Sequence, residues 1–133
     1  MKLYVNQGST LGEIQKDFRD MYPYLKLEFY KRIQTGNQGA SSRDKLQANY
    51  LPGKINTGRV YATIDISPQR SAGELENDIL DTLGVCAQVF RRSGNIWIQT
   101  TDTDKWSLRL QNEEGRASYI SISTGGVPPG EED

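Results

Sequence analysis

The stretch TLGEIQKDF at residues 10–18 returns sixty-one positions later as SAGELENDI at residues 71–79. Both stretches begin with a hydroxyl residue that is followed three positions later by glutamate. In this capping-box pattern the hydroxyl and the carboxylate satisfy free backbone N–H groups at the start of a helix. Apolar residues then recur at helical spacing. The sequence therefore predicts two equivalent amphipathic helices, which end before Pro23 and at Gly84.

Strand patterns flank both predicted helices at the same offset, so the unit strand–helix–strand occurs twice. The two halves cover residues 2–33 and 58–92, and a polar loop at residues 34–57 joins them. Two such units favour an α+β, ferredoxin-like split βαβ fold, with a four-stranded antiparallel sheet and two helices on one face. An α+β arrangement in which the later strands stand apart is the alternative. The long loop is either mobile or ordered by a partner.

The segment after the second half predicts a hairpin and a third helix. A turn at residues 93–95 leads into a fifth strand at residues 96–100. A helix is predicted at residues 104–113, ending at Gly115, and the alternation in ASYISIS predicts a short strand after it. We expect a single domain over residues 1–124 and a flexible acidic tail over residues 125–133.

The composition excludes several kinds of enzyme. The 133 residues carry a formal charge of −1 and include one cysteine and no histidine. Cys–His catalysis, an internal disulfide and a histidine metal site are therefore absent. Cys86 lies in an apolar run and is predicted to pack inside a strand. The aspartates repeated in the two helices are predicted to face solvent, so no cofactor or metal site is expected.

No apolar run approaches the about 20 residues that a membrane-spanning helix needs. The first ten residues also contain too few apolar positions for the core of a secretory signal. We therefore expect a cytoplasmic protein without a membrane partner. The weak net charge gives no broad basic surface of the kind that nucleic-acid binding usually requires.

Strand alternation predicts a cluster of aromatic residues on the sheet face away from the first two helices. Two arginines, Arg32 and Arg59, would lie among them. The third helix carries an apolar stripe that is expected to cover this face, and an uncovered face is the alternative. The aromatic residues are Tyr4, Tyr30, Tyr61, Phe90 and Trp97.

Three segments of the chain resemble two known families. LYVN at residues 3–6 and RVYATIDI at residues 59–66 resemble the two strand motifs of the RNA-recognition-motif family. The second motif departs from that family at Val60, where the family has glycine, and at Thr63, where it has a second stacking aromatic. Residues 73–112 resemble small bacterial proteins of uncharacterised function, which implies a bacterial source and a shared fold unit but no activity.

The sequence favours a non-enzymatic binding or assembly module, with a protein partner or a second copy of the chain as the ligand. The predicted partner-binding residues are Arg32, Arg59, Tyr61, Trp97, Arg43, Lys45 and Lys54. Single-stranded RNA is the alternative that the strand resemblance implies, with base stacking on aromatic side chains and a phosphate contact from arginine. Its predicted residues are Tyr4, Arg59, Tyr61 and Phe90. An enzyme, the third hypothesis, would need Asp65 and Asp102 to converge in a pocket.

Overall fold

The structure, a computed structural model, describes residues 1–31, 45–52 and 61–123. It contains three helices and five strands in these ranges, and none of the helices is long and apolar enough to cross a membrane. The α+β class is confirmed. The elements are β1 (Lys2–Asn6), α1 (Leu11–Met21), β2 (Leu25–Tyr30), β3 (Tyr61–Asp65), α2 (Ala72–Leu83), β4 (Cys86–Ser93), β5 (Ile96–Gln99), a 3-10 turn (Thr101–Thr103) and α3 (Leu108–Ser123).

Both predicted capping boxes are present. The Thr10 hydroxyl accepts from the Glu13 N–H at 3.2 Å, and the Glu13 carboxylate accepts from the Thr10 N–H at 2.8 Å. Ser71 and Glu74 repeat the arrangement at 3.1 and 2.9 Å. Helix α2 ends beside Gly84, whose φ of 72° is the left-handed conformation that glycine adopts without strain.

The described strands form two antiparallel sheets. One contains β1 and β3, with Leu3 opposite Ile64, and the other has the order β2-β4-β5, with Leu27 opposite Val89. The ferredoxin-like arrangement of one four-stranded sheet is therefore not confirmed. A single hydrophobic core lies between both sheets and the helices. Its larger members are Leu3, Ile64, Leu25, Leu27, Phe29, Val89, Leu11, Ile14, Phe18, Leu75, Ile79, Leu83 and Leu108.

The repeated glycines, Gly12 and Gly73, have a shared structural role. Each lies in the first turn of its helix and donates its N–H to a carbonyl of a neighbouring segment, Ala48 in one case and Asp104 in the other, both at 2.8 Å. A Cβ atom at Gly12 would lie 3.1 Å from the Ala48 carbonyl oxygen, and one at Gly73 would lie 3.3 Å from that of Asp104. Because glycine has no Cβ, a second segment can approach and satisfy N–H groups that the helix itself leaves free.

The repeat also joins each helix to the strand that follows it. Gln15 and Glu76 occupy equivalent positions in α1 and α2. The Gln15 side chain donates to the Leu27 carbonyl of β2 at 2.9 Å, and the Glu76 carboxylate accepts from the Val89 N–H of β4 at 2.8 Å. Each helix therefore supplies one side chain that satisfies a backbone group of its own strand.

A glutamine–glutamate contact accompanies each of these bonds, with the residue types exchanged between the halves. Gln15 on α1 donates to Glu28 on β2 at 3.3 Å, whereas Gln88 on β4 donates to Glu76 on α2, also at 3.3 Å. Burial raises the pKa of Glu76 to about 7, and the nearby Asp104 acts in the same direction, while the hydrogen bond from Val89 opposes them. The second half thus contains a carboxyl group that binds protons near neutral pH.

Helix α3 differs from its prediction. It begins at Leu108 and continues through Gly115 to Ser123, so the predicted end at Gly115 and the predicted strand at residues 117–123 are wrong. Gly115 is buried against Tyr24, the residue before β2, and against Arg91 of β4: a Cβ there would lie 2.9 Å from the Tyr24 carbonyl oxygen and 3.2 Å from Cγ of Arg91. Because glycine has no Cβ, α3 can approach the neighbouring backbone closely at this position. The sequence pattern predicts a helix end there, since glycine is also common where helices stop.

A buried polar network fixes α3 to one side of β4. Arg91 donates to the side-chain oxygen of Gln111 at 2.6 Å, and the Gln111 side-chain nitrogen donates to the Thr103 carbonyl at 2.6 Å. Gln111 is fully buried, and Arg91 also lies over the Trp106 ring, 5.2 Å from its centre. Since Arg91 and Val89 lie on the same face of β4, α3 packs on the core side of this strand. Tyr119 of α3 reaches the side of Trp97, but Tyr4 and Tyr61 stay exposed, so the prediction that α3 covers the whole aromatic face is wrong.

Candidate functional site

The predicted binding residues do not share one face. Arg32, Arg43, Lys54 and Arg59 lie outside the described residues. The remaining candidates are divided between the two sheets and the segment at residues 45–52: Tyr4 and Tyr61 lie on β1 and β3, Phe90 and Trp97 on β4 and β5, and Lys45 on the segment. The single aromatic face is therefore wrong, because it required one continuous sheet.

Two further orientations differ from the strand alternation. Tyr30 was expected on the open face, but it is buried, with 5% of its surface exposed. Alternation in the fifth predicted strand, with Trp97 on the open face, points its neighbour Ile96 inward, but 57% of the Ile96 surface is exposed at the start of the edge strand β5. Both residues lie at strand ends, Tyr30 at the end of β2 and Ile96 at the start of β5, where the pairing that imposes alternation stops.

Tyr4 and Tyr61 form an open aromatic pair on the small sheet. Tyr4 lies opposite Thr63, and Tyr61 lies opposite Asn6, so the two tyrosines are diagonal neighbours on one face. They are 72% and 59% exposed. Both rings are therefore available to a ligand.

Trp97 lies among three cationic side chains, and we call these four residues the Trp97 cluster. Arg19 from the last turn of α1 lies 4.8 Å from the centre of the indole ring, and Lys26 from β2 and Arg92 from β4 each lie at 5.1 Å. Strand pairing places Arg92 directly opposite Trp97. Cations at these distances are attracted by the negative face of the ring.

Among the described residues, the arginines of the cluster keep most of their N–H donors free. Lys26 forms an ion pair with Glu28 at 3.2 Å, but neither Arg19 nor Arg92 joins any of the four ion pairs found among the described residues. Arg92 donates from Nε to the Gly94 carbonyl at 3.1 Å. A guanidinium has five N–H donors in a fixed plane, so both arginines can still bind an anion.

A hollow of about 210 Å³ opens beside the indole ring. The Tyr24 and Tyr119 rings meet on its wall, with centres 5.8 Å apart, and Arg92 lies over the Tyr119 ring at 4.8 Å. The hollow therefore combines aromatic surface with positive charge. The residues that line it are Arg19, Pro23, Tyr24, Arg92, Trp97 and Tyr119.

Two more hollows continue from this one between α1 and β2. The second, about 490 Å³, shares Arg19 with the first and includes Lys26 and Glu28. The third, about 390 Å³, shares Glu28 with the second and extends to Lys45. We call this row the α1–β2 groove. It brings two predicted binding residues, Trp97 and Lys45, to its opposite ends.

Sequence reading missed the cations that surround Trp97. Arg19 falls within the first predicted helix and Lys26 within the strand predicted after it, and nothing in the sequence indicates that these two elements meet beside β5. Arg92 is the one cation of the cluster whose position the sequence indicates, since the tight turn in RRSGNIW brings it opposite Trp97.

The acidic residues of the third hypothesis do not show the environment of a general base. Asp65 accepts hydrogen bonds from the backbone N–H and the hydroxyl of Ser67, and these bonds lower the pKa of its carboxyl group. Asp102 is exposed. Within residues 1–31, 45–52 and 61–123, no group of three or more acidic or cysteine side chains is arranged to hold a metal ion.

The Trp97 cluster and the α1–β2 groove together form the candidate site in the described part of the chain. No family model matches this sequence, and comparisons with curated proteins and with solved structures likewise give no match.

Proposed function

We propose that this chain is a non-enzymatic protein-binding module that binds an acidic segment of a partner protein along the α1–β2 groove. The observation that carries the proposal is the convergence of Arg19, Lys26 and Arg92 on Trp97. Tryptophan and arginine are the residues most often found to dominate the binding energy of protein interfaces. Here they lie together at the wall of a hollow.

Charge supports an acidic partner. The whole chain is close to neutral, with a formal charge of −1, so the positive charge of the Trp97 cluster is local. A local patch of this kind directs an oppositely charged partner to one place and orientation. The guanidinium groups of Arg19 and Arg92 keep N–H donors that no other described residue uses. These donors lie in one plane within each group, and this geometry suits the two oxygens of a carboxylate.

Fluorescence of Trp97 provides a direct test. The chain has two tryptophans, and Trp106→Phe leaves Trp97 as the single reporter while keeping an aromatic ring beside Arg91. Titration of this variant with an oligoglutamate peptide is expected to change the emission in a saturable, salt-sensitive way. Adding Arg19→Gln should weaken binding about tenfold, because a charge-assisted hydrogen bond is lost.

Arg109→Gln is the matched control, since Arg109 is also an exposed arginine but lies on α3, near Pro68. It removes the same charge and should leave binding unchanged. An oligolysine peptide should not bind. Unchanged Trp97 emission with oligoglutamate at low salt, or equal weakening by Arg19→Gln and Arg109→Gln, would contradict the proposal.

Single-stranded RNA binding is the second candidate function, and the open pair of Tyr4 and Tyr61 favours it. Stacking of a base on an aromatic side chain contributes about 1–3 kcal/mol. We therefore expect Tyr61→Ala to weaken binding of a labelled oligouridylate by at least about fivefold at low salt. Fluorescence anisotropy measures the affinity.

Tyr50→Ala is the control for this second test, because Tyr50 is an exposed tyrosine that belongs to the segment at residues 45–52 and not to β1 or β3. It should bind as the unchanged chain does. Absence of any binding at low salt would remove the RNA candidate and leave the acidic-partner proposal unaffected.

A further inference from the structure

We infer that the partner segment carries an aromatic side chain next to its acidic residues, and that this ring enters the hollow beside Trp97. The inference rests on the proposed function and adds the identity of the residue that anchors the partner. It follows from the size, the walls and the rigidity of the hollow.

The hollow has room for an aromatic ring. Its volume is about 210 Å³. An apolar cavity of about 150 Å³ in another protein is large enough to hold benzene. A carboxylate side chain alone would leave much of this space empty and would bring its oxygens only to the arginines at the edge.

The walls favour an aromatic ring over an aliphatic group. The Trp97, Tyr24 and Tyr119 rings and the Pro23 ring line the hollow. Aromatic rings attract one another in offset or edge-to-face arrangements beyond the gain from buried area. The planes of Arg19 and Arg92 also stack on aromatic faces while their N–H edges remain available to neighbouring carboxylates. An aromatic residue flanked by acidic residues would contact the rings of the hollow with its side chain and the arginine N–H edges with the neighbouring carboxylates.

Hydrogen bonds between α3 and the strands hold the hollow in shape. The Tyr24 N–H donates to the Asn112 side chain, and the Tyr24 carbonyl accepts from the Arg92 N–H, both at 3.0 Å. Ser118 donates to the Arg92 carbonyl at 3.0 Å and accepts from the Gly94 N–H at 3.1 Å. A ligand entering a wall fixed in this way loses less free energy to ordering the protein.

Three labelled peptides of equal length test the inference by fluorescence anisotropy: glutamates around a central phenylalanine, glutamates around a central alanine, and lysines around a central phenylalanine. We expect the glutamate–phenylalanine peptide to bind the unchanged chain at least about tenfold more tightly than the glutamate–alanine peptide. The lysine–phenylalanine peptide should not bind.

The outcomes separate the inference from the proposed function. Equal affinity for the two glutamate peptides would overturn the aromatic anchor and leave the acidic-partner proposal standing. If neither glutamate peptide binds, both the aromatic anchor and the acidic-partner proposal are overturned. Equal binding by the lysine–phenylalanine peptide would also overturn both, since the charge of the peptide would then play no part.

The Tyr119→Ala variant tests whether the aromatic ring of the partner binds in this hollow. Tyr119 lies on the surface of α3, with 36% of its surface exposed, and contributes one wall. The variant is expected to reduce the preference for phenylalanine over alanine, whereas the control Tyr50→Ala should retain it. A preference that survives Tyr119→Ala in full would overturn the assignment. Far-ultraviolet circular dichroism of the variant checks that α3 is intact.

Discussion

The Gly115→Ala variant is expected to have a free energy of unfolding about 2 kcal/mol lower than that of the unchanged chain, because its new methyl group overpacks a site that has no room for it. The Cβ would lie 2.9 Å from the Tyr24 carbonyl oxygen and 3.0 Å from the Tyr24 Cβ. Helix propensity alone predicts the opposite sign, since alanine is favoured over glycine inside a helix by about 1 kcal/mol. The measured sign therefore decides between the two effects.

The clash cannot be relieved cheaply. The Tyr24 backbone is bonded on both sides, to Asn112 through its N–H and to Arg92 through its carbonyl. Helix α3 would have to move outward, which would weaken the buried bond between Arg91 and Gln111. Crowding against a fixed backbone is one of the few mechanisms by which adding a methyl group destabilises a protein strongly.

Urea unfolding followed by circular dichroism gives the free energy of unfolding. Glu114→Ala is the matched control, because Glu114 is the exposed neighbour of Gly115 on α3. It adds an alanine to the same turn without a new contact. A Gly115→Ala variant as stable as the unchanged chain would show that α3 does not approach Tyr24 this closely.

The Glu76→Gln variant is expected to be more stable than the unchanged chain at pH 7.5, by up to about 3 kcal/mol, and equally stable near pH 4.5. Folding raises the pKa of Glu76 from 4.5 to about 7. The folded chain therefore holds a proton that the unfolded chain releases across this range. The stability that protonated Glu76 contributes is complete below about pH 4.5 and is lost as the pH rises through about 7.

Glutamine is the appropriate replacement because it keeps the shape and the acceptor. Its side-chain oxygen can still accept from the Val89 N–H and from Gln88, the two bonds that Glu76 makes. The free energy of unfolding in urea, measured at several pH values between 4.5 and 7.5, gives the difference between the two chains. Glu114→Gln controls for the loss of one negative charge, and curves that stay parallel for Glu76→Gln would contradict the prediction.

The sequence predicts local features of the fold well and their assembly less well. The capping boxes, the end of α2 at Gly84 and the hairpin before β5 depend on neighbouring residues, and each is found in the structure. Strand order depends on contacts between distant segments, which a repeat does not specify. Two equivalent strand–helix–strand units are compatible with one sheet or with two, and the pairing of β2 with β4 selects two.

The same limit applies to the candidate site. Trp97 was predicted from strand alternation and Lys45 from its place in the long loop, and the two residues lie at the two ends of the α1–β2 groove. Arg19 and Lys26 were not predicted, since their importance comes from tertiary contact with Trp97. Gly115 shows the opposite error, because a residue that usually ends helices here allows two backbones to touch.

The exchange of glutamine and glutamate between the halves makes the groove electrically uneven along its length. In the first half, the carboxylate of the glutamine–glutamate pair belongs to Glu28 on β2. This carboxylate forms ion pairs with Lys26 at 3.2 Å and with Lys45 at 3.3 Å. These lysines are therefore partly neutralised, whereas neither Arg19 nor Arg92 joins an ion pair within residues 1–31, 45–52 and 61–123. A segment lying in the groove would experience a gradient of potential that rises toward Trp97, and such a gradient distinguishes the two directions in which the segment can run.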